Sequence, residues 1–138
     1  MKDLMNKETA VITPYLAVKG ASDAIAFYQA AFGAVEVFRL NDADGRVSHA
    51  EIRIDGAALM ISDEYPEIGV RGPKTMGGSA VMIVLEVADV DRVFQRAVSA
   101  GAGIERPLQD SFDGDLRNGK LVDPFGHRWM VLTRKKKA

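Results

Sequence analysis

The sequence predicts an α+β domain assembled from two βαβββ units, and three observations predict it. First, residues 114–132, GDLRNGKLVDPFGHRWMVL, read as two strands broken at Asp123-Pro124-Phe125-Gly126. Second, Ile52-Arg53-Ile54-Asp55-Gly56-Ala57-Ala58-Leu59-Met60-Ile61 repeats that plan, with Gly56 and Gly126, and Met60 and Met130, each 70 residues apart. Third, a helical stripe follows a strand in each half and stops at a glycine, Phe32-Gly33-Ala34 in one and Ala100-Gly101-Ala102 in the other. Each unit alone would expose an apolar sheet face, so the two halves are expected to pack together or swap between subunits.

The elements follow in order. Met1 to Thr9 lacks periodicity and reads as a loose arm. Val11 to Val18 is the first strand, with Pro14 suited to its start or to an edge. Ala21 to Phe32 places Ala24, Ile25, Phe27, Tyr28, Ala31 and Phe32 on one helical stripe, with Ser22 or Asp23 as its cap. Val35 to Leu40 and Val47 to Ile54 are strands around the Asp42-Ala43-Asp44-Gly45 turn, and Ala58 to Ser62 closes the first unit. Glu64 to Ser79 shows neither period, holds Pro66 and Pro73, and reads as a functional lid or a linker between halves. Ala80 to Val87 is a strand. Asp89 to Ala100 is a helix with Val90, Val93, Phe94, Ala97 and Val98 inward, and Ile104 to Pro107 is a short strand before the opening stretch. The whole chain, 1–138, is one domain of two units, about 10–63 and 80–134, joined by that long loop.

Composition narrows the function classes. Hydrophobic residues make up 47% of the chain, enough for a core, and the absence of Cys excludes disulfides, thiolate metal sites and cysteine nucleophiles. The 18 basic and 19 acidic residues nearly cancel, which argues against a nucleic-acid footprint. Arg134-Lys135-Lys136-Lys137 is the only charge run and reads as a solvated tail. No apolar run approaches the roughly 18–20 residues that span a bilayer, and the polar Met1 to Ala10 is no signal peptide. A soluble cytoplasmic protein with no membrane partner is expected.

Several stretches carry a family likeness: Thr13-Pro14-Tyr15-Leu16-Ala17-Val18, Ala24-Ile25-Ala26-Phe27-Tyr28, His49-Ala50-Glu51-Ile52-Arg53-Ile54, Leu59-Met60-Ile61-Ser62-Asp63-Glu64, Gly69-Val70-Arg71 and Asp123-Pro124-Phe125-Gly126-His127-Arg128-Trp129. In their order and spacing the chain resembles the vicinal-oxygen-chelate superfamily, also called the glyoxalase/bleomycin-resistance/dioxygenase fold, and within it the PhnB-like branch. That glyoxalase-like resemblance implies two curved, mostly antiparallel half-barrel sheets facing a ligand cavity. It also implies a homodimer, since isologous pairs are the commonest assemblies. The four positions that hold metal ligands in metal-dependent members correspond here to Thr13, Glu51, Met82 and Met130. Gly114, Asp115, Arg117 and Gly119 resemble a further family motif, one residue longer through Leu116 and with Asp113 where an aromatic is usual.

Strand alternation selects the residues that face such a cavity. With Leu16 and Val18 inward, Thr13, Tyr15 and Ala17 line it; with Ile52 and Ile54 inward, His49, Glu51 and Arg53 do. Met82, Val84 and Glu86 follow on the fifth strand and Met130 on the last. Catalytic transition-metal sites take about three imidazole or carboxylate ligands, and of the four family positions only Glu51 supplies one, so no metal or other cofactor is expected. Alternation gives Thr13, Tyr15, His49, Glu51, Arg53, Met82, Val84 and Met130 as the expected ligand-binding set, and the family resemblance adds Asp115 and Arg117. The expected function is metal-independent binding of a small molecule. The alternative is a lyase or isomerase using Glu51 or His49 as acid or base, or a metal site of unforeseen composition. His127 and Trp129 are expected to be structural: a turn hydrogen bond, and a core ring whose indole N–H finds a partner.

Overall fold

A computed structural model, which describes residues 9–135, shows the two-unit plan. Residues 1–8 of the arm expected at Met1 to Thr9, and the lysines after Lys135, lie outside the described residues. The first unit comprises β1 (Tyr15–Val18), α1 (Ala21–Phe32), β2 (Val35–Asn41), β3 (Val47–Ile54) and β4 (Ala57–Asp63). A connection carries a single 3-10 turn, Pro66–Ile68, and the short helix α2 (Pro73–Met76). The second unit comprises β5 (Met82–Glu86), α3 (Val90–Ala100), β6 (Gly103–Asp110), β7 (Leu116–Val122) and β8 (Arg128–Arg134). Two four-stranded sheets result, ordered β1-β4-β3-β2 and β5-β8-β7-β6. In each, only the strand before the long helix pairs in parallel, because the helix carries the chain back to the same end of the sheet.

Local chemistry sets most boundaries. Four residues expected in the first strand, 11–14, lie outside β1: Pro14 offers no N–H, and only its carbonyl joins the sheet, accepting from Met60 N at 2.9 Å. The sixth strand runs on to Asp110, beyond the expected Pro107. In β3 the alternation buries Ala50, Ile52 and Ile54, and a register shift opposite Leu40 and Asn41 brings Val47 to the buried side as well. The α1 stripe is buried as its spacing requires, and Gly33 ends the helix at φ 70°. Its N-terminal cap differs from expectation. Neither Ser22 nor Asp23 caps it; Asp63 Oδ1 accepts from Gly20 N at 3.1 Å and Ala21 N at 2.8 Å, while Oδ2 accepts from Val47 N at 2.7 Å. One carboxylate from the end of β4 thus ties the helix start to β3.

The core lies between the helices and the buried faces of both sheets, and it crosses from unit to unit. Helices α1 and α3 pack together, and Arg96 on α3 donates to the Ala30 carbonyl at 2.7 Å, a cation at the C-terminal end of α1. Trp129 on β8 lies against Phe32 and Tyr28 of α1, with centroids 4.7 and 5.5 Å away. Its Nε1 donates to Asp123 Oδ2 at 2.9 Å, and the Asp123 Oδ1 accepts from Phe125 N and His127 N, so the Asp-Pro-Phe-Gly turn is closed by its own aspartate. Each fully buried aromatic or aliphatic side chain of this kind contributes about 1.5–3 kcal/mol. An exposed ion pair contributes about 0–1 kcal/mol, so the aromatic seam outweighs the surface charges.

The connection between units is built, not merely long. Gly72 and Pro73 are buried, and a Cβ at Gly72 would lie 2.5 Å from the Ala17 carbonyl oxygen, so only glycine lets the chain pass β1 there. His127 Nε2 meets that same Ala17 carbonyl at 3.0 Å, which joins the second unit's turn to β1.

Candidate functional site

The face of the first sheet turned away from the helices carries the polar candidates. Tyr15, Met60, Glu51 and Phe38 lie in register across β1, β4, β3 and β2, so one row crosses the sheet. His49 Nδ1 and the Tyr15 hydroxyl are 2.7 Å apart, and the two rings meet edge to face at 5.2 Å. Arg53 donates from Nη2 and Nε to Glu51 Oε2 at 3.0 and 3.2 Å. The Glu51 side chain is only 14% exposed against 49% for Arg53, so the carboxylate is the sheltered member of the pair. Alternation alone accounts for this row: odd-numbered β3 residues from 49 to 53 cannot enter a core that takes Ala50, Ile52 and Ile54.

Part of the expected set lines three depressions. Thr13, Glu51, Arg53 and Val84 line one of about 530 Å³ that is walled by Met60, Ala58 and Leu85. Tyr15, Met82 and Val84 line a second, about 520 Å³, between the β1 and β5 edges with His127 at its side. Tyr15 also lines a third, about 410 Å³, with Ala17, Ser48, Ser62 and the connecting loop. His49 lines none of them but holds the Tyr15 hydroxyl. Met130 lies half-buried in register with Val84 and Lys120, outside all three.

Arg117 and Asp115 stand apart. The Arg117 guanidinium is held by Asp91 of α3, at 2.9 Å, and by Asp110, so it turns to the helix side of the second sheet. That hydrogen-bonded pairing lowers the Asp91 carboxyl below its ordinary value and raises the guanidinium. Asp115 precedes β7, and its carbonyl accepts from Lys135 N at 2.7 Å.

A divalent metal is what the metal-dependent pattern implies, and the residues do not fit one. Thr13, Met82 and Met130 bring no imidazole or carboxylate, and Glu51 is engaged with Arg53. Among the described residues no group of three or more His, Asp or Glu is placed to hold an ion.

The loop-capped depression uses residues that sequence reasoning passed over: Asp42, Ser48, Ser62 and Tyr65. Ser62 was within reach of the alternation argument, two residues beyond Met60 on the same strand face. Ser48 was hidden by the β3 irregularity, and Tyr65 by the lack of period in the connection. The loop is pinned to the β2–β3 hairpin. Tyr65 donates to Asp42 Oδ2 at 2.6 Å, and Arg46 lies 3.9 Å above the Tyr65 ring while bonding Asp44 and Glu67, each at 2.7 Å. The Asp42 hydrogen bond pushes the Tyr65 phenol up to about 12. At the loop's far end, Glu64 Oε2 accepts from Gly72 N at 2.7 Å; a Thr75 hydrogen bond, and then this one, hold its carboxyl below the ordinary value.

A model of the Glyoxalase/Bleomycin resistance protein/Dioxygenase superfamily matches residues 9–131. An uncharacterised protein of Mycobacterium bovis is 44% identical over 130 residues, covering 92% of this chain and 84% of that protein. The crystal structure of TioX from Micromonospora sp. ML1 is similar with a TM-score of 0.71 and 28% identity, covering 91% of this chain and 99% of that one. The PhnB protein from Bacillus cereus has a TM-score of 0.69 over 90% of this chain and 99% of its own; at 21% identity that likeness concerns the fold alone.

Proposed function

Since the chain belongs to the glyoxalase/bleomycin resistance protein/dioxygenase superfamily, we propose that it binds a small molecule on the open face of its first sheet, without a conventional metal site and without chemistry of its own. The observation that carries this reading is the Glu51–Arg53 pair in the depression walled by Met60 and Val84. A sheltered carboxylate beside a half-exposed guanidinium, among apolar side chains, orients a small polar group while the methionine and valine take up its apolar body. Thermal unfolding in the presence of small aldehydes, dicarbonyls and antibiotics tests it. A Glu51-dependent shift without turnover supports binding, and no shift from any of them refutes it.

A second reading has its own support in the Tyr15–His49 contact at 2.7 Å, a phenol and an imidazole within proton-transfer distance. On that reading Glu51 or His49 is the acid or base of a lyase or isomerase, and turnover of any compound that binds would decide for it.

We take the protein further as a cytoplasmic homodimer. Val35, Val37 and Leu40 stand exposed along β2, the outer strand of the first sheet, where a second copy would cover them. The near-balance of charge and the lack of Cys agree with a cytoplasmic protein that does not bind nucleic acid. No helix among the described residues is long and apolar enough to cross a membrane.

A further inference from the structure

We propose that the depression beneath the 65–70 loop is a separate site that takes a small organic cation, an amine or quaternary ammonium on an aromatic or aliphatic body. It goes beyond the reading above, since no residue lines both this depression and the one at Glu51 and Arg53. Its walls are Ala17, Ile68, Val70 and the rings of Tyr15 and Tyr65, which suit an apolar body and, through the ring faces that Arg46 does not cover, a positive charge.

Three hydroxyls of the lining have their hydrogens committed elsewhere. Tyr65 donates its proton to Asp42, Ser48 Oγ donates to the Leu40 carbonyl at 3.2 Å, and Ser62 Oγ donates to the Asp63 carbonyl at 3.0 Å. Each hydroxyl therefore offers a ligand its lone pairs and not its hydrogen. Asp42 adds a carboxylate to the lining, and no lysine or arginine lines it. On the hairpin side of the loop, Asp42, Asp44 and Glu67 surround the guanidinium of Arg46, while Glu64 at the loop's start lies within reach of Lys19 and Arg71, which do not line the depression. Asp42 repels an anion and a neutral body gains nothing from its charge, whereas an ammonium meets a carboxylate, the hydroxyl oxygens of Ser48, Ser62 and Tyr65, and the tyrosine rings.

The test uses the full chain and three probes of one shape: benzylamine, benzyl alcohol and benzoate, titrated by calorimetry at neutral pH. Benzylamine is expected to bind at least about tenfold more tightly than benzyl alcohol, with benzoate weakest. Asp42→Asn is expected to weaken benzylamine by about tenfold and leave benzyl alcohol unchanged. Because Asp42→Asn also loosens the loop, Tyr65→Phe provides the second arm. It removes the competing phenol and keeps the charge, so benzylamine binding should be retained or strengthened. Equal affinity for amine and alcohol, no binding of the amine, or loss of amine binding in Tyr65→Phe overturns the site. If the Glu51-dependent thermal shift persists in any of those cases, only this inference fails and the proposed function stands.

Discussion

The Tyr28 hydroxyl on α1 donates to Asp123 Oδ2 at 2.5 Å, joining two fully sheltered groups 95 positions apart and so the helix of one unit to the turn of the other. The same oxygen accepts from Trp129 Nε1, and Oδ1 closes the turn through Phe125 N and His127 N. Asp123 is therefore a buried carboxylate with every bond assigned, which is the condition under which such a group is tolerated.

Tyr28→Phe should lower stability by about 1–3 kcal/mol, because Asp123 loses a buried donor. The pH dependence separates this from a packing effect. Burial first, and then the Asp123 charge, push the Tyr28 phenol well above its ordinary 10.0. The native state keeps a proton that the unfolded chain releases above about pH 10, so this contribution is whole below that pH and is lost as pH rises through the folded value. Urea unfolding at a series of alkaline pH values should show a shallower decline in Tyr28→Phe; an identical slope would mean Tyr28 is not linked to folding in this way.

Gly72→Ala places a Cβ 2.5 Å from the Ala17 carbonyl oxygen, a backbone atom that cannot turn aside. A loss of about 1–3 kcal/mol is expected. Gly56→Ala, whose Cβ would meet nothing within 4 Å, serves as the comparison and should be near neutral. Equal urea midpoints for the two variants would refute the close approach.

Glu51→Gln should fold as the parent does, since a pair with a half-exposed arginine contributes about 0–1 kcal/mol. Its affinity for any compound found to bind at that depression should change about tenfold or more, about 1.4 kcal/mol. An unchanged dissociation constant would make Glu51 a rim residue.

Equilibration with zinc, nickel, iron(II) and manganese, followed by gel filtration, should leave less than one ion per chain. The reason is the donor chemistry of Thr13, Met82 and Met130 beside a Glu51 already engaged by Arg53. Elemental analysis showing one tightly held ion per chain would defeat this.

Sedimentation at micromolar concentration should show a species of twice the chain mass, and Val35→Lys with Val37→Lys on the exposed β2 edge should reduce it to the single chain. A parent protein that sediments only as the single chain would rule out the homodimer.

What the sequence by itself determined is everything carried by a local period. Alternation placed His49, Glu51 and Arg53 on one face of β3 because consecutive strand residues must point to opposite sides. The 3.6-residue stripe of α1 and the stop at Gly33 are legible because each depends on neighbours along the chain, and the repeat that pairs Met60 with Met130 because two such local patterns recur in one order. Tertiary structure decided the rest, because the partners involved are far apart in sequence and no spacing announces them. Asp63 caps α1 from 42 residues away in place of Ser22 or Asp23. Asp91 of α3 takes Arg117 to the helix side, and the Ala17 carbonyl meets both Gly72 and His127. The aperiodic connection becomes the wall of a depression only because Tyr65 finds Asp42 and Glu67 finds Arg46 on the hairpin; a polar side chain near a sheet end bonds whichever group the fold brings within reach, and only the packed chain settles which group that is.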